Sequence, residues 1–255
     1  MSITATPGRW LLRPPPDDAR LLLFALPYAG VGASSYRDWP SAIGPIAVCP
    51  LQPPGRENRL RERPHRNHAD FAADLGATIA RYADRPYALI GHCGAVPYAL
   101  ATIWNLHDSG VRPPARLIAS SWGPPQRGLY GRLNFVDLNA FDPMAEVKAL
   151  FAQMGRARVP DDLVELAAET LVVDLETQRG FRYADDRPLP CPVTVLGWRS
   201  DDVVPDDLVH DGWDEVAEVR HRTLPGRHLD YLRCPDVLRA LLAEELSAPA
   251  HTASE

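Results

Sequence analysis

The run Tyr87-Ala88-Leu89-Ile90-Gly91-His92-Cys93-Gly94-Ala95 constrains this chain more than any other. An apolar strand-like stretch passes through a sharp turn of small residues and leads into a helical pattern. A strand that turns so tightly into a helix holds the residue at its apex in a strained conformation, with the side chain exposed above a sheet. The apex here is Cys93, and Gly91 and Ala95 flank it at two residues on either side. This geometry requires a parallel sheet with helices packed on it.

The rest of the chain supplies such a sheet. Short apolar runs bounded by turn residues predict strands over 21–26, 46–51, 87–91, 116–121, 193–197 and 218–224. Helical patterns over 69–82, 95–107, 206–216 and 235–246 alternate with them. The expected fold is α/β, of α/β-hydrolase type: a mostly parallel central sheet flanked by helices, one domain over 1–255. The segment 123–187 breaks the alternation, being far longer than an ordinary connection between strands. Two amphipathic helices are expected within it, over 143–155 and 160–177, forming an inserted lid above the C-terminal edge of the sheet, where ligands enter such folds. The small, polar stretch 247–255 reads as a disordered tail.

Composition removes several classes of function. A net charge of -6 argues against nucleic acid as a partner. No stretch approaches the roughly 20 apolar residues of a membrane span, and no secretory leader pattern opens the chain, so a cytoplasmic protein is expected. The 4 cysteines are widely spaced, which suggests neither a disulfide framework nor a zinc site. His65 and His68 have a His-x-x-His spacing with no third ligand nearby, so no metal is expected.

Cys93 at the start of a helix is placed for nucleophilic catalysis, because the positive end of the helix dipole favours thiolate. A nucleophile of this kind needs a base and a group that orients the base. In this fold the chain order is nucleophile, acid, histidine. The turn after the strand 193–197 carries Asp201 and Asp202, and the turn after 218–224 carries His228. Asp201 is preferred because Asp201-Asp202-Val203-Val204-Pro205 resembles the acid loop of many α/β-hydrolases. His92 is expected to pack beneath the elbow, and His107, His210 and His221 lie at element ends. An oxyanion hole needs two backbone N–H groups. One is expected from Gly94, and the other from the glycine-bearing loop Leu26-Pro27-Tyr28-Ala29-Gly30-Val31-Gly32.

These motifs resemble those of the type II thioesterases, α/β-hydrolases of nonribosomal peptide and polyketide biosynthesis that act on acyl groups tethered to carrier proteins. The 26–32 loop is similar to that family's Pro-His-Ala-Gly-Gly segment, with Tyr28 where histidine is common and Ala29 as the implied second N–H donor. Pro54-Gly55-Arg56-Glu57 resembles its Pro-Gly-Arg-Glu motif, and Pro225-Gly226-Arg227-His228 its Pro-Gly-Gly-His. The departure is the elbow, which in the family usually reads Gly-His-Ser-Met-Gly. Cysteine replaces serine here, and glycine replaces methionine.

The resemblance implies a partner, an acyl or peptidyl carrier protein, and no cofactor beyond that partner's phosphopantetheine arm. Some relatives with a cysteine elbow shuttle acyl or aminoacyl groups between carriers. The expected function is therefore transfer through an acyl-Cys93 intermediate to a thiol or amine. Hydrolytic release by a type II thioesterase is the alternative, and a catalytically silent carrier-protein binder is a second one. Arg56, Arg59, Arg61, Arg63 and Arg66 form a basic stretch in an otherwise acidic chain, and it is a candidate docking surface for an acidic carrier.

Overall fold

A computed structural model of the protein describes residues 9–156, 158–183 and 187–247. Seven strands form one sheet: β1 (Leu21–Ala25), β2 (Ala42–Ile43), β3 (Ile46–Pro50), β4 (Tyr87–His92), β5 (Arg116–Ser120), β6 (Val193–Trp198) and β7 (Val219–Leu224). Their order across the sheet is β2-β3-β1-β4-β5-β6-β7, parallel except for β2 against β3. The two-residue β2 escapes the sequence pattern because it is too short to carry a period. The central strands β1, β4, β5 and β6 are buried along their whole length, as expected where helices cover both faces.

Alternate residues of each strand serve opposite cores. Leu22, Phe24, Leu89, Leu117 and Val195 pack under α1 (His68–Ile79) and α2 (Ala95–Asp108). Leu23, Ala25, Ile90, Ile118 and Leu196 face the opposite side, where α6 (Asp236–Ser247) supplies Leu238, Leu241 and Leu242. Between α2 and α6 in sequence lie α3 (Pro143–Gln153), α4 (Asp161–Arg179) and the short α5 (Asp206–His210). The helical pattern predicts α5 through residue 216, but the helix stops at His210. Asp211 takes up extended backbone and Trp213 turns fully into the core. The apolar residues beyond Asp211 therefore serve burial, without helical continuity.

The inserted segment holds its two expected helices, α3 and α4. Asp142 caps α3 by accepting from the Ala145 N–H at 3.0 Å, with Pro143 in the first turn. Val147, Phe151, Val164, Leu171 and Leu175 give the insertion a small core of its own, closed against Val31 in the loop after β1. This packing places α4 beside the C-terminal ends of the central strands. Ser247, expected in the tail, is the last residue of α6, and 248–255 lie outside the described residues. No helix among the described residues is long and apolar enough to cross a membrane.

Candidate active site

The elbow takes the form that the sequence requires. Cys93 sits between β4 and α2 at a φ of 51°, a conformation that costs energy in a residue other than glycine. Its N–H donates to the Ser120 carbonyl at 2.8 Å, which ties the apex to the end of β5. A Cβ on Gly91 would come within 3.0 Å of the Ala95 backbone, so the strand and helix close on each other only because Gly91 has no side chain.

His228 follows β7, and Asp201 follows β6. The His228 Nδ1 meets both carboxylate oxygens of Asp201, at 2.8 and 3.0 Å. Asp201 is fixed in turn by the Ser121 hydroxyl, donating at 2.7 Å, and by the N–H groups of Val203 and Val204 at 2.8 and 2.9 Å. Asp202 is exposed and does not enter the site's hydrogen bonds. The geometry therefore separates the two aspartates that the sequence leaves adjacent.

Burial opposes charge on His228, yet the Asp201 hydrogen bond and the adjoining Cys93 thiol outweigh it and raise the ring to about 9. Burial likewise works against charge on Asp201, but His228, the Val204 N–H and the Ser121 hydroxyl hold it down to about 2. The other cysteines differ from Cys93 in their surroundings. Burial pushes Cys49, Cys191 and Cys234 up to about 12, so each is an inert thiol at neutral pH.

Two further side chains shape the centre. His92 is fully buried beneath the elbow, with Nδ1 at 2.8 Å from the Ser120 hydroxyl and its ring stacked on Tyr231 at 4.2 Å. Tyr28, from the loop after β1, places its hydroxyl 3.2 Å from His228 Nε2. Burial, and then the negative charges of Cys93 and Asp201, raise the Tyr28 phenol well above its ordinary value, so it remains a neutral hydroxyl. A cleft of about 500 Å³ leads to Tyr28 and His228, with Arg132, Arg227 and Arg233 on its walls.

The loop 26–32 reaches the elbow and places Ala29 and Gly94 on the walls of one small pocket. The N–H groups of Ala29 and Gly94 have no hydrogen-bond partner among the described residues. Three residues of the basic stretch and its neighbours hold this loop. Gln52 accepts from the Ala33 N–H at 2.9 Å. Glu57 accepts from Gly32 and Ser34. Arg56 donates to the Val31 carbonyl at 2.9 Å and forms a two-pronged ion pair with Asp174 of α4 at 2.8 and 3.1 Å. Asp174 also accepts from the Gly30 N–H at 2.8 Å.

The basic stretch is exposed only in part. Arg56 is buried against Asp174, and Arg59 is buried between Glu62 and the Gln52 carbonyl. Both support the loop from within the fold. Arg61, Arg63 and Arg66 remain exposed, with Arg66 paired to Glu176 at 3.2 Å. His65 and His68 diverge: His65 meets Asp74 at 3.1 Å, and His68 packs against Tyr98 and Phe181.

The site is roofed. The segment 128–135 of the insertion passes over the elbow, and a Cβ on Gly131 would lie 3.6 Å from Cys93 Sγ. Cys93 is 9% exposed as a result.

Comparison with known proteins agrees with this architecture. The model of the thioesterase domain family matches residues 22–243. A linear gramicidin dehydrogenase, LgrE, of Brevibacillus parabrevis is 26% identical over 207 residues, 78% of this chain and 77% of that protein. A probable cadicidin biosynthesis thioesterase of Streptomyces griseus is 27% identical over 252 residues, 96% of this chain and 69% of that one. Among solved structures, RedJ, a thioesterase from the prodiginine biosynthetic pathway in Streptomyces coelicolor, superposes with a TM-score of 0.75 at 27% identity, over 92% of this chain and 91% of its own.

Proposed function

The chain belongs to the thioesterase domain family, and from that premise we propose that it acts as a type II enzyme of nonribosomal peptide or polyketide biosynthesis. It takes an acyl or aminoacyl group from the phosphopantetheine thiol of a carrier protein onto Cys93, and passes it to a second thiol or an amine. The observation that carries this reading is the cysteine itself, set at the elbow beside the Asp201-oriented ring of His228.

The chemistry favours transfer. Moving an acyl group from the pantetheine sulfur to Cys93 exchanges one thioester for another, so the step is close to balanced and the group stays activated. His228, raised to about 9, holds its proton at neutral pH. It therefore stabilises the Cys93 thiolate as a neighbouring cation and gives its proton to the pantetheine sulfur as that sulfur departs. Ala29 and Gly94 supply N–H groups to the tetrahedral oxyanion. The insertion packs against Cys93, which is 9% exposed, and burial of the acyl-sulfur bond there would favour transfer over hydrolysis. The carrier's arm would arrive through the cleft that reaches Tyr28 and His228.

Intact-protein mass spectrometry after incubation with an acylated carrier protein tests the reading, with Cys93→Ala as control and an unloaded second carrier added afterwards. A Cys93-dependent adduct that moves to the second carrier faster than it hydrolyses is the expected result. Rapid release of free acid would make the protein an editing hydrolase. Absence of any adduct would leave it a carrier-protein binder.

A further inference from the structure

The glycine at position 94, where the family's elbow usually carries methionine, has a counterpart in space. A Cβ on Gly94 would lie 2.2 Å from Gln178 Nε2 and 2.5 Å from Gln178 Oε1. The room that a longer side chain would need at the elbow is taken by a carboxamide delivered from α4.

That carboxamide is held and aimed. Asn134 Nδ2 donates to the Tyr130 carbonyl at 2.6 Å and to Gln178 Oε1 at 3.3 Å. Because the Asn134 nitrogen is committed as a donor, the Gln178 oxygen is the end that accepts from it, and Nε2 is the end nearer to Gly94. Gln178 is 2% exposed, and its Nε2 has no hydrogen-bond partner among the described residues. A buried amide without an acceptor is unfavourable unless a ligand supplies one. One turn earlier on α4, Asp174 locks the helix to Arg56 and to the Gly30 N–H, so Gln178 stands on a fixed base.

Ala29, Gly94, Ala95 and Gln178, with the paired Arg56 and Asp174 behind them, line a common pocket of about 10 Å³ beside the elbow, room for a single oxygen atom. The N–H groups of Ala29 and Gly94 and the amide of Gln178 all lack acceptors there. We propose that Gln178 is a catalytic residue, a third oxyanion donor supplied by the insertion in addition to the two backbone amides. The inference rests on the acyl-Cys93 reading above. When the Cys93 sulfur bonds to the substrate carbonyl carbon, the carbonyl π pair moves onto oxygen, and Gln178 Nε2–H donates to that oxygen. The pair returns as the carbon-sulfur bond to the donor thiol breaks, and the departing sulfur takes the proton of His228.

The test uses the full chain and two probes of Cys93. p-Nitrophenyl acetate acylates the thiol through a tetrahedral oxyanion and reports a burst of nitrophenolate, whereas iodoacetamide alkylates it by displacement with no oxyanion. Gln178→Leu should slow the acylation burst roughly 100-fold and leave the alkylation rate within about twofold of wild type. Gln178→Glu, which presents a carboxylate to the developing charge, should slow the burst further. An unchanged burst in Gln178→Leu would overturn the proposal. So would an equal fall in both rates, since that marks a merely structural role. A wild-type burst that survives Cys93→Ala would instead remove the acyl-Cys93 reading, and the inference with it.

Discussion

Tyr28 Oη lies 3.2 Å from His228 Nε2, so the ring nitrogen on the Cys93 side already has a hydroxyl partner. With His228 protonated, the Nε2–H is divided between Tyr28 and the sulfur. Tyr28→Phe should concentrate that proton on Cys93 and strengthen the ion pair. Iodoacetamide alkylation at pH 7 should then accelerate by about 2- to 10-fold, the worth of one ordinary hydrogen bond. A slower reaction would show that Tyr28 positions the ring more than it competes for it.

The adjacent aspartates should differ sharply. Asp201→Asn should reduce acyl transfer by about 10⁴-fold, as expected when the group that orients a catalytic histidine loses its charge. The pH profile carries a second signature. Wild-type transfer should fall as pH rises through about 9, where His228 gives up the proton that the leaving thiol needs. The Asp201 hydrogen bond is the foremost influence raising that ring, so Asp201→Asn should move the descending limb to lower pH. Asp202→Asn, at an exposed position, should leave both rate and profile unchanged.

Stability should follow the same pair. His228 is raised from 6.5 to about 9, so its contribution is full below about 6.5 and is lost as pH rises through about 9. Asp201 is lowered from 3.8 to about 2, so its contribution is full above about 3.8 and is lost as pH falls through about 2. The difference in melting temperature between wild type and Asp201→Asn should therefore be greatest between about pH 4 and 6.5 and shrink toward pH 9. A difference that grows from pH 6.5 to 9 would contradict the assigned pairing.

Arg56→Ala should be costly in a way that Arg61→Ala and Arg63→Ala are not. Removing Arg56 leaves Asp174 buried without its ion partner, a loss of about 3–5 kcal/mol. In a chain of this size that corresponds to a fall of roughly 10 °C in Tm, read by thermal denaturation. Changes at the exposed Arg61 and Arg63 should stay within about 0.5 kcal/mol.

The sheet was legible because its central strands are mostly apolar and buried from end to end, and β1, β3, β4, β5 and β6 lie within a residue or so of the runs that announce them. The elbow was legible for the same reason, and chain order singled out the Asp201 and His228 loops that the structure brings beside it. Arg56 and Gln178 were not. In sequence, Arg56 belongs to a charge run that looks solvated, and the carboxylate that buries it stands 118 residues away. Gln178 falls one residue past the helix that the sequence predicts over 160–177. Its meaning arises only when α4 is laid against Gly94, a relation between distant segments that no local period encodes. The positive φ of Ser121, which aims its hydroxyl at Asp201, is likewise set by tertiary packing.

Asp174 grips the loop that presents Ala29, and Gln178 reaches the elbow from the next turn of the same helix. On the proposed reading, an outward movement of α4 would release the loop that presents Ala29 and withdraw the Gln178 amide together. Entry to the site and the full strength of its oxyanion donors would then share one linkage, as the door and the power do in an interlock.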